Sequence, residues 1–218
     1  MEISDNILRE LLKNCYFING TAYAGKSTMV RLLAQRYDGI ECGENYHDVL
    51  MAATDPAHQP NLGYFQTMSS WHEFVSRAPE DYVAWMRGTA QEASELEIIQ
   101  LLRLSQSGKK IFVDTNISPE RLKKIALWDH VAILLSPQSL SVDHFFDRPD
   151  PEKQFLYRQI MEGPDPERTM ANFRACMALA NSRSRYAEFA RSGFFTFLRT
   201  EKSTIEEELA ALEEHFKL

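Results

Sequence analysis

The chain has 218 residues, 44% hydrophobic and 25% charged, enough for a globular protein with its own core and no need of disulfides. A net charge of -7 weighs against a general nucleic-acid binder, which needs a basic face for phosphates. No run of about 18 apolar residues occurs, the acidic start MEISDNILRELLKN does not read as a signal peptide, and Cys15, Cys42 and Cys176 lie too far apart to suggest a disulfide framework. Together these features predict a cytoplasmic protein with no membrane segment.

In chain order, Ile7, Leu8, Leu11 and Leu12 recur at helical spacing, predicting a short helix over 4–13. CYFIN (15–19) reads as a strand, and Lys26 to Tyr37 as a helix with Val30, Leu33 and Ala34 on one face. GIEC (39–42) is a weak second strand. Within 44–108, SSWHEFVSRA and the stretch from Glu80 to Gly108 are helical in pattern, with Gly108 placed to end the second. KIFVD (110–114) is a buried strand. Ser118-Pro119 supplies a cap and a first-turn proline for a helix to about Leu127. HVAILLS (130–136) is a further strand, followed by a proline- and arginine-bearing excursion. Residues 169–192 read as helix and FFTFL (194–198) as strand. The last helix opens with Ser203 and Glu206 at capping-box spacing. Strands alternating with helices predict an α/β fold with a five-stranded parallel sheet covered on both faces. In such sheets ligands sit beyond the carboxyl ends of the strands.

Gly20-Thr21-Ala22-Tyr23-Ala24-Gly25-Lys26-Ser27 fits G-x-x-x-x-G-K-[ST], followed by Thr28, between an apolar strand and an amphipathic helix. The glycines allow the backbone to curl so that its N–H groups converge on phosphate oxygens, and the next helix directs its positive end at the same point. Lys26 is placed to reach the β- and γ-phosphates, and the Ser27 hydroxyl to ligate Mg²⁺. Tyr23, where small residues are usual, either points away from the phosphates or lies over a ligand. Asp114, closing a strand expected beside the loop strand, is placed near the Mg²⁺ and its waters; the alternative is an aspartate capping a turn.

The loop GTAYAGKST, the weaker match FVDTNISPERL and the element order resemble the P-loop kinases of small molecules, the group of nucleoside-monophosphate kinase, shikimate kinase and chloramphenicol phosphotransferase. The resemblance implies a three-layer P-loop NTPase fold in one domain (1–218). It implies a helical acceptor-binding insert at 44–108 and a lid-like segment at 137–168. It also implies ATP and Mg²⁺ as ligands, with a small molecule as acceptor. An acid after the second strand orients an acceptor hydroxyl in alcohol kinases. Glu41, Glu44 and Asp48 are available, and Glu44 ranks first. His47 reads as a surface or packing residue. Arg148 is the first candidate to cover the transferred phosphoryl group, with Arg158, Arg174, Arg183 and Arg185 behind it, because a guanidinium keeps its charge and its planar fork. Trp71, Phe74, Tyr82, Trp85 and Arg87 either stack a ring-bearing substrate or pack helices together.

The chain departs from the family at two points. Thr115-Asn116-Ile117-Ser118 replaces the acceptor-phosphate run of nucleoside-monophosphate kinases, and the shikimate kinase glycine triplet is missing. There is no N-K-x-D or L-S-G-G-Q motif, and Asp114 is followed by Thr115 rather than Glu, which disfavours GTPases, transporter ATPases and motors. The expected function is an ATP- and Mg²⁺-dependent phosphotransferase with a hydroxyl acceptor. A nucleotide-binding regulator without transfer activity is the alternative.

Overall fold

The computed structural model describes residues 3–139, 145–146, 151–200 and 202–218. Two compact units make up the chain. The first comprises Met1–Ala53, Ala90–Ser136 and Tyr186–Leu218, and the second Thr54–Thr89 and Pro137–Arg185. Of the region 44–108 expected as an insert, residues 54–89 belong to the second unit and the rest to the first; residues 137–168 also belong to the second.

The first unit is built on a five-stranded sheet in the order β2-β3-β1-β4-β5. Its strands are β1 (Cys15–Gly20), β2 (Ile40–Cys42), β3 (Ile111–Asp114), β4 (Val131–Leu135) and β5 (Phe195–Leu198). Every pairing is parallel, so all carboxyl ends lie along one edge. Apolar runs buried on both faces are what such a sheet requires. Side chains alternate across it with period two. Cys15 and Phe17 join Ile111, Val113, Val131, Ile133 and Leu135 on one face, while Tyr16 and Ile18 join Phe112, Ala132 and Leu134 on the other.

Helices cover each face. On the first lie α1 (Asp5–Leu11), through Leu8, and α6 (Pro119–Ile125), through Leu122 and Ile125. Leu101 and Phe189 complete it; they come from α5 (Pro79–Leu104) and from α9 (Arg183–Ala190). The second face is covered by α2 (Lys26–Arg36), through Met29, Val30 and Leu33, and by α10 (Ile205–Phe216), through Leu209, Leu212 and Phe216.

The second unit is helical, with α3 (Tyr64–Thr67), α4 (Trp71–Val75), the start of α5, α7 (Pro151–Met161) and α8 (Pro166–Ala180). Its core is aromatic. Phe74, Tyr82 and Phe173 are buried beside Val75, Ile160, Cys176 and Met177.

Two helix starts differ from expectation. The capping box of α10 is Thr204 with Glu207, one residue beyond Ser203 and Glu206, because Ser203 is engaged by Thr200. The expected helix 169–192 is two helices. Asp165 caps α8 and Pro166 occupies its first turn, the same signal as Ser118-Pro119, and the helix stops at Asn181.

Candidate functional site

The glycine-rich loop joins the carboxyl end of β1 to α2. Gly20 has φ 136°, and a Cβ there would lie 1.8 Å from Leu134 O, so only glycine lets β1 pass β4 at this point. Thr21 N donates to Leu134 O, and Ser136 N donates to the Thr21 hydroxyl. The Ser136 hydroxyl donates to Ala22 O at 2.6 Å. The first half of the loop is therefore tied to the end of β4. Gly25, at φ 92°, turns the chain into α2, and Tyr23 also takes a left-handed backbone, φ 65°. That conformation is rare for a bulky side chain and signals a strained turn. Ala24 is buried, Ala22 exposed, and Thr28 half-buried in the first turn of α2. Lys26 Nζ donates to Thr21 O at 3.2 Å, folding its charge back across the loop.

Ser27 and Asp114 meet. The Ser27 hydroxyl donates to Asp114 Oδ2 at 2.8 Å, joining the first turn of α2 to the end of β3. They are 87 positions apart, so local sequence does not pair them. The register supplies the link, since Asp114 lies opposite Ile18, two residues before the loop.

Behind Asp114 stands Glu97, on α5, which the sequence reading missed. It is fully buried. Its carboxylate accepts from Thr115 Oγ1 at 2.6 Å, from Asn116 Nδ2 at 2.7 Å, from Asn116 N and from Tyr46 OH. The Thr115 hydroxyl accepts from Ile117 N, Ile117 O accepts from Asn19 Nδ2 at 2.7 Å, and Asn19 Oδ1 accepts from Gly20 N. One hydrogen-bonded path thus runs from Tyr46 through the turn after β3 to the first glycine of the loop. Burial raises the Glu97 carboxyl above its ordinary range against these donors, which act the other way. A signal for Glu97 was present: Ala93, Glu97 and Leu101 share one buried stripe of α5, so an acid stands at an apolar register position.

His47 lies beside this cluster and is buried, with Nδ1 at 3.8 Å from Glu97 Oε1, too far for a hydrogen bond. Burial lowers its pKa, with the Asp48 carboxylate acting the other way. Glu44 follows β2 at the same sheet edge and is exposed, as are Glu41 and Asp48. Arg148 lies outside the described residues. Arg158, Arg174 and Arg183 are exposed and Arg185 half-buried in the second unit.

The aromatic group is a packed core: Phe74 and Tyr82 are buried, and Trp85 meets Phe74 edge-on at 5.0 Å. Its cation is Arg77, 3.9 Å from the Tyr64 ring centroid, whereas Arg87 is exposed. The chain matches no protein-family model, no curated protein and no solved structure. Among the described residues no helix is long and apolar enough to cross a membrane, and no group of three or more His, Cys, Asp or Glu could hold a metal ion.

Proposed function

We propose that the first unit is a nucleotide-binding domain of the P-loop class, in which the loop 20–27 receives the phosphates of a nucleoside triphosphate. Within that class we read the protein as an ATP- and Mg²⁺-dependent phosphotransferase acting on a small molecule, with a hydroxyl acceptor favoured over a nucleotide phosphate. The observation that carries this reading is the Ser27–Asp114 contact at 2.8 Å beside Lys26 and the helix start. It joins a hydroxyl and a carboxylate, hard oxygen donors suited to Mg²⁺. Two protein oxygens suffice for that ion, which takes its other ligands from phosphates and water. Bound there, Mg²⁺ would neutralise phosphate charge.

Phosphoryl transfer depends on position and charge more than on covalent chemistry. Lys26 exchanges Thr21 O for the β- and γ-phosphate oxygens. Glu97 holds the turn that presents Asp114. Glu44, beyond β2, orients the acceptor hydroxyl. Calorimetry with Mg²⁺ and ATP tests the class: no binding at millimolar ligand sinks it. Product formation across nucleosides, sugars and hydroxy acids then tests the activity.

The second reading is a nucleotide-responsive regulator. Glu97, the acid hydrogen-bonded to the turn after Asp114, is fully buried and committed to its donors, which leaves it unavailable to activate an acceptor or water. Tight ATP binding without transfer to any acceptor would favour this reading.

A further inference from the structure

Two residues with no role in the proposed phosphotransfer lie against the glycine-rich loop. Arg199, just past β5, donates from Nη1 to Tyr23 O at 3.4 Å. The Tyr23–Ala24 peptide is trans, so its C=O and N–H point in opposite directions. Holding the carbonyl from behind turns the Ala24 N–H to the other side of the loop, away from Arg199. Glu208, on α10, is 2% exposed, and its Oε1 is buried with no hydrogen-bond partner among the described residues. Both side chains end close to the loop at Gly25. A Cβ there would lie 3.0 Å from Arg199 Nη1 and 3.0 Å from Glu208 Oε1, so these flexible ends would have to give by a few tenths of an ångström. The φ of 92° is what calls for glycine at this position.

A buried carboxyl oxygen without a donor is a costly arrangement for the ionised form and a cheap one for the acid. Burial raises the Glu208 carboxyl to about 7, with Arg199 pulling the other way. Among the described residues, charges on neighbouring elements are engaged elsewhere. Arg36 on α2 pairs with Glu213, Lys26 Nζ bonds Thr21 O, and Asp129 in the turn before β4 pairs with Lys217. Glu207, next along α10, caps the helix through Thr204. Among the described residues, Arg199 is the charged group that acts on Glu208.

We propose that Arg199 and Glu208 are positioning residues of the glycine-rich loop, and that Glu208 takes up a proton from solvent when an anionic ligand enters the loop. An added negative charge in front of the Gly25 backbone disfavours a second one behind it, so the acid form gains. This rests on the loop being a phosphate site.

The test is calorimetric binding of a non-hydrolysable ATP analogue with Mg²⁺ at pH 7, in three buffers of different ionisation enthalpy. Wild type is expected to take up roughly 0.3–0.5 proton more than Glu208→Gln. Arg199→Ala is expected to bind roughly tenfold more weakly, about one hydrogen bond's worth, with Arg199→Lys recovering part of the loss. Equal proton uptake by wild type and Glu208→Gln overturns the proposal and leaves the phosphate site standing. Absence of binding by wild type sinks the phosphate site and this inference with it. A second measurement needs no variant: the ¹³C carboxyl titration of Glu208 in wild type should move upward when the analogue is added. A titration that stays in place overturns the coupling.

Discussion

The two units bury different chemistry. Among the described residues, nine of the ten buried polar or charged side chains (Asn19, Thr21, His47, Glu97, Asp114, Thr115, Ser136, Ser192 and Glu208) belong to the first unit, and Thr169 alone to the second. Most of the nine lie where strands end at the loop edge, and seven of them, all but His47 and Glu208, make side-chain hydrogen bonds. The second unit instead buries rings that meet edge-on, such as Tyr82 with Phe173 at 5.8 Å. Ring packing is tolerant of chemistry and sensitive to volume. A hydrogen-bonded network is tolerant of volume and sensitive to chemistry, because each lost partner strands another polar group. The first unit therefore buries a polar network, and the second a packed aromatic core.

Substitutions can break this contrast. The largest effect on function is expected at the loop. Lys26→Ala and Asp114→Asn should each reduce phosphotransfer or nucleotide affinity at least ~100-fold, while the melting temperature moves by no more than about 2 °C. Comparable losses of stability and binding would make these residues structural. The largest effect on stability is expected at Phe173→Ala, about 3–5 kcal/mol in urea unfolding. Hydrogen exchange should quicken first in α8 and α4, and uniform quickening through β1, β3 and β4 would remove the distinction between the units.

Next in size is Glu97→Ala, which leaves the donors of Thr115 and Asn116 unpaired and should cost about 2–4 kcal/mol. Glu97→Gln keeps one acceptor oxygen and should cost less; equal costs would mean that volume and not hydrogen bonding matters there. A pH series separates Glu208. Its folded pKa, about 7, lies above the ordinary 4.5, so the folded state holds more protons across that window. Its contribution is fully present below pH 4.5 and is lost as pH rises to about 7. Wild type should thus lose stability between pH 5 and 7 relative to Glu208→Gln, and parallel curves would refute the shift. The smallest effect is Arg77→Met in the second unit. It removes the cation above Tyr64 while keeping much of the volume, and should cost about 0.5–1 kcal/mol.

Legibility in the sequence followed the range of the interaction. The loop, the strands as apolar runs, the Ser118-Pro119 cap and the Gly108 stop are written in neighbouring residues, and all appear at or within a few residues of their expected places. Asp165-Pro166 carries the same local signal. Spacing points to Arg87 as the charge of the aromatic group, whereas Arg77, between α4 and α5, stacks on Tyr64, because helix packing and not spacing selects the partner. Glu97 and Glu208 each stand at an apolar register of their helices, a signal that marks burial without naming what the acid meets.

By itself the sequence determined the local elements and the α/β alternation, since short-range sterics and hydrophobic periodicity act along the chain. Only the tertiary structure decided that β3 lies beside β1, which brings Asp114 to Ser27. It also decided that α5 brings Glu97 to the Thr115–Asn116 turn, and that α10 and the end of β5 bring Glu208 and Arg199 behind Gly25. These contacts join residues 18 to 183 positions apart. Their partners are chosen by strand pairing and burial, which no local pattern records.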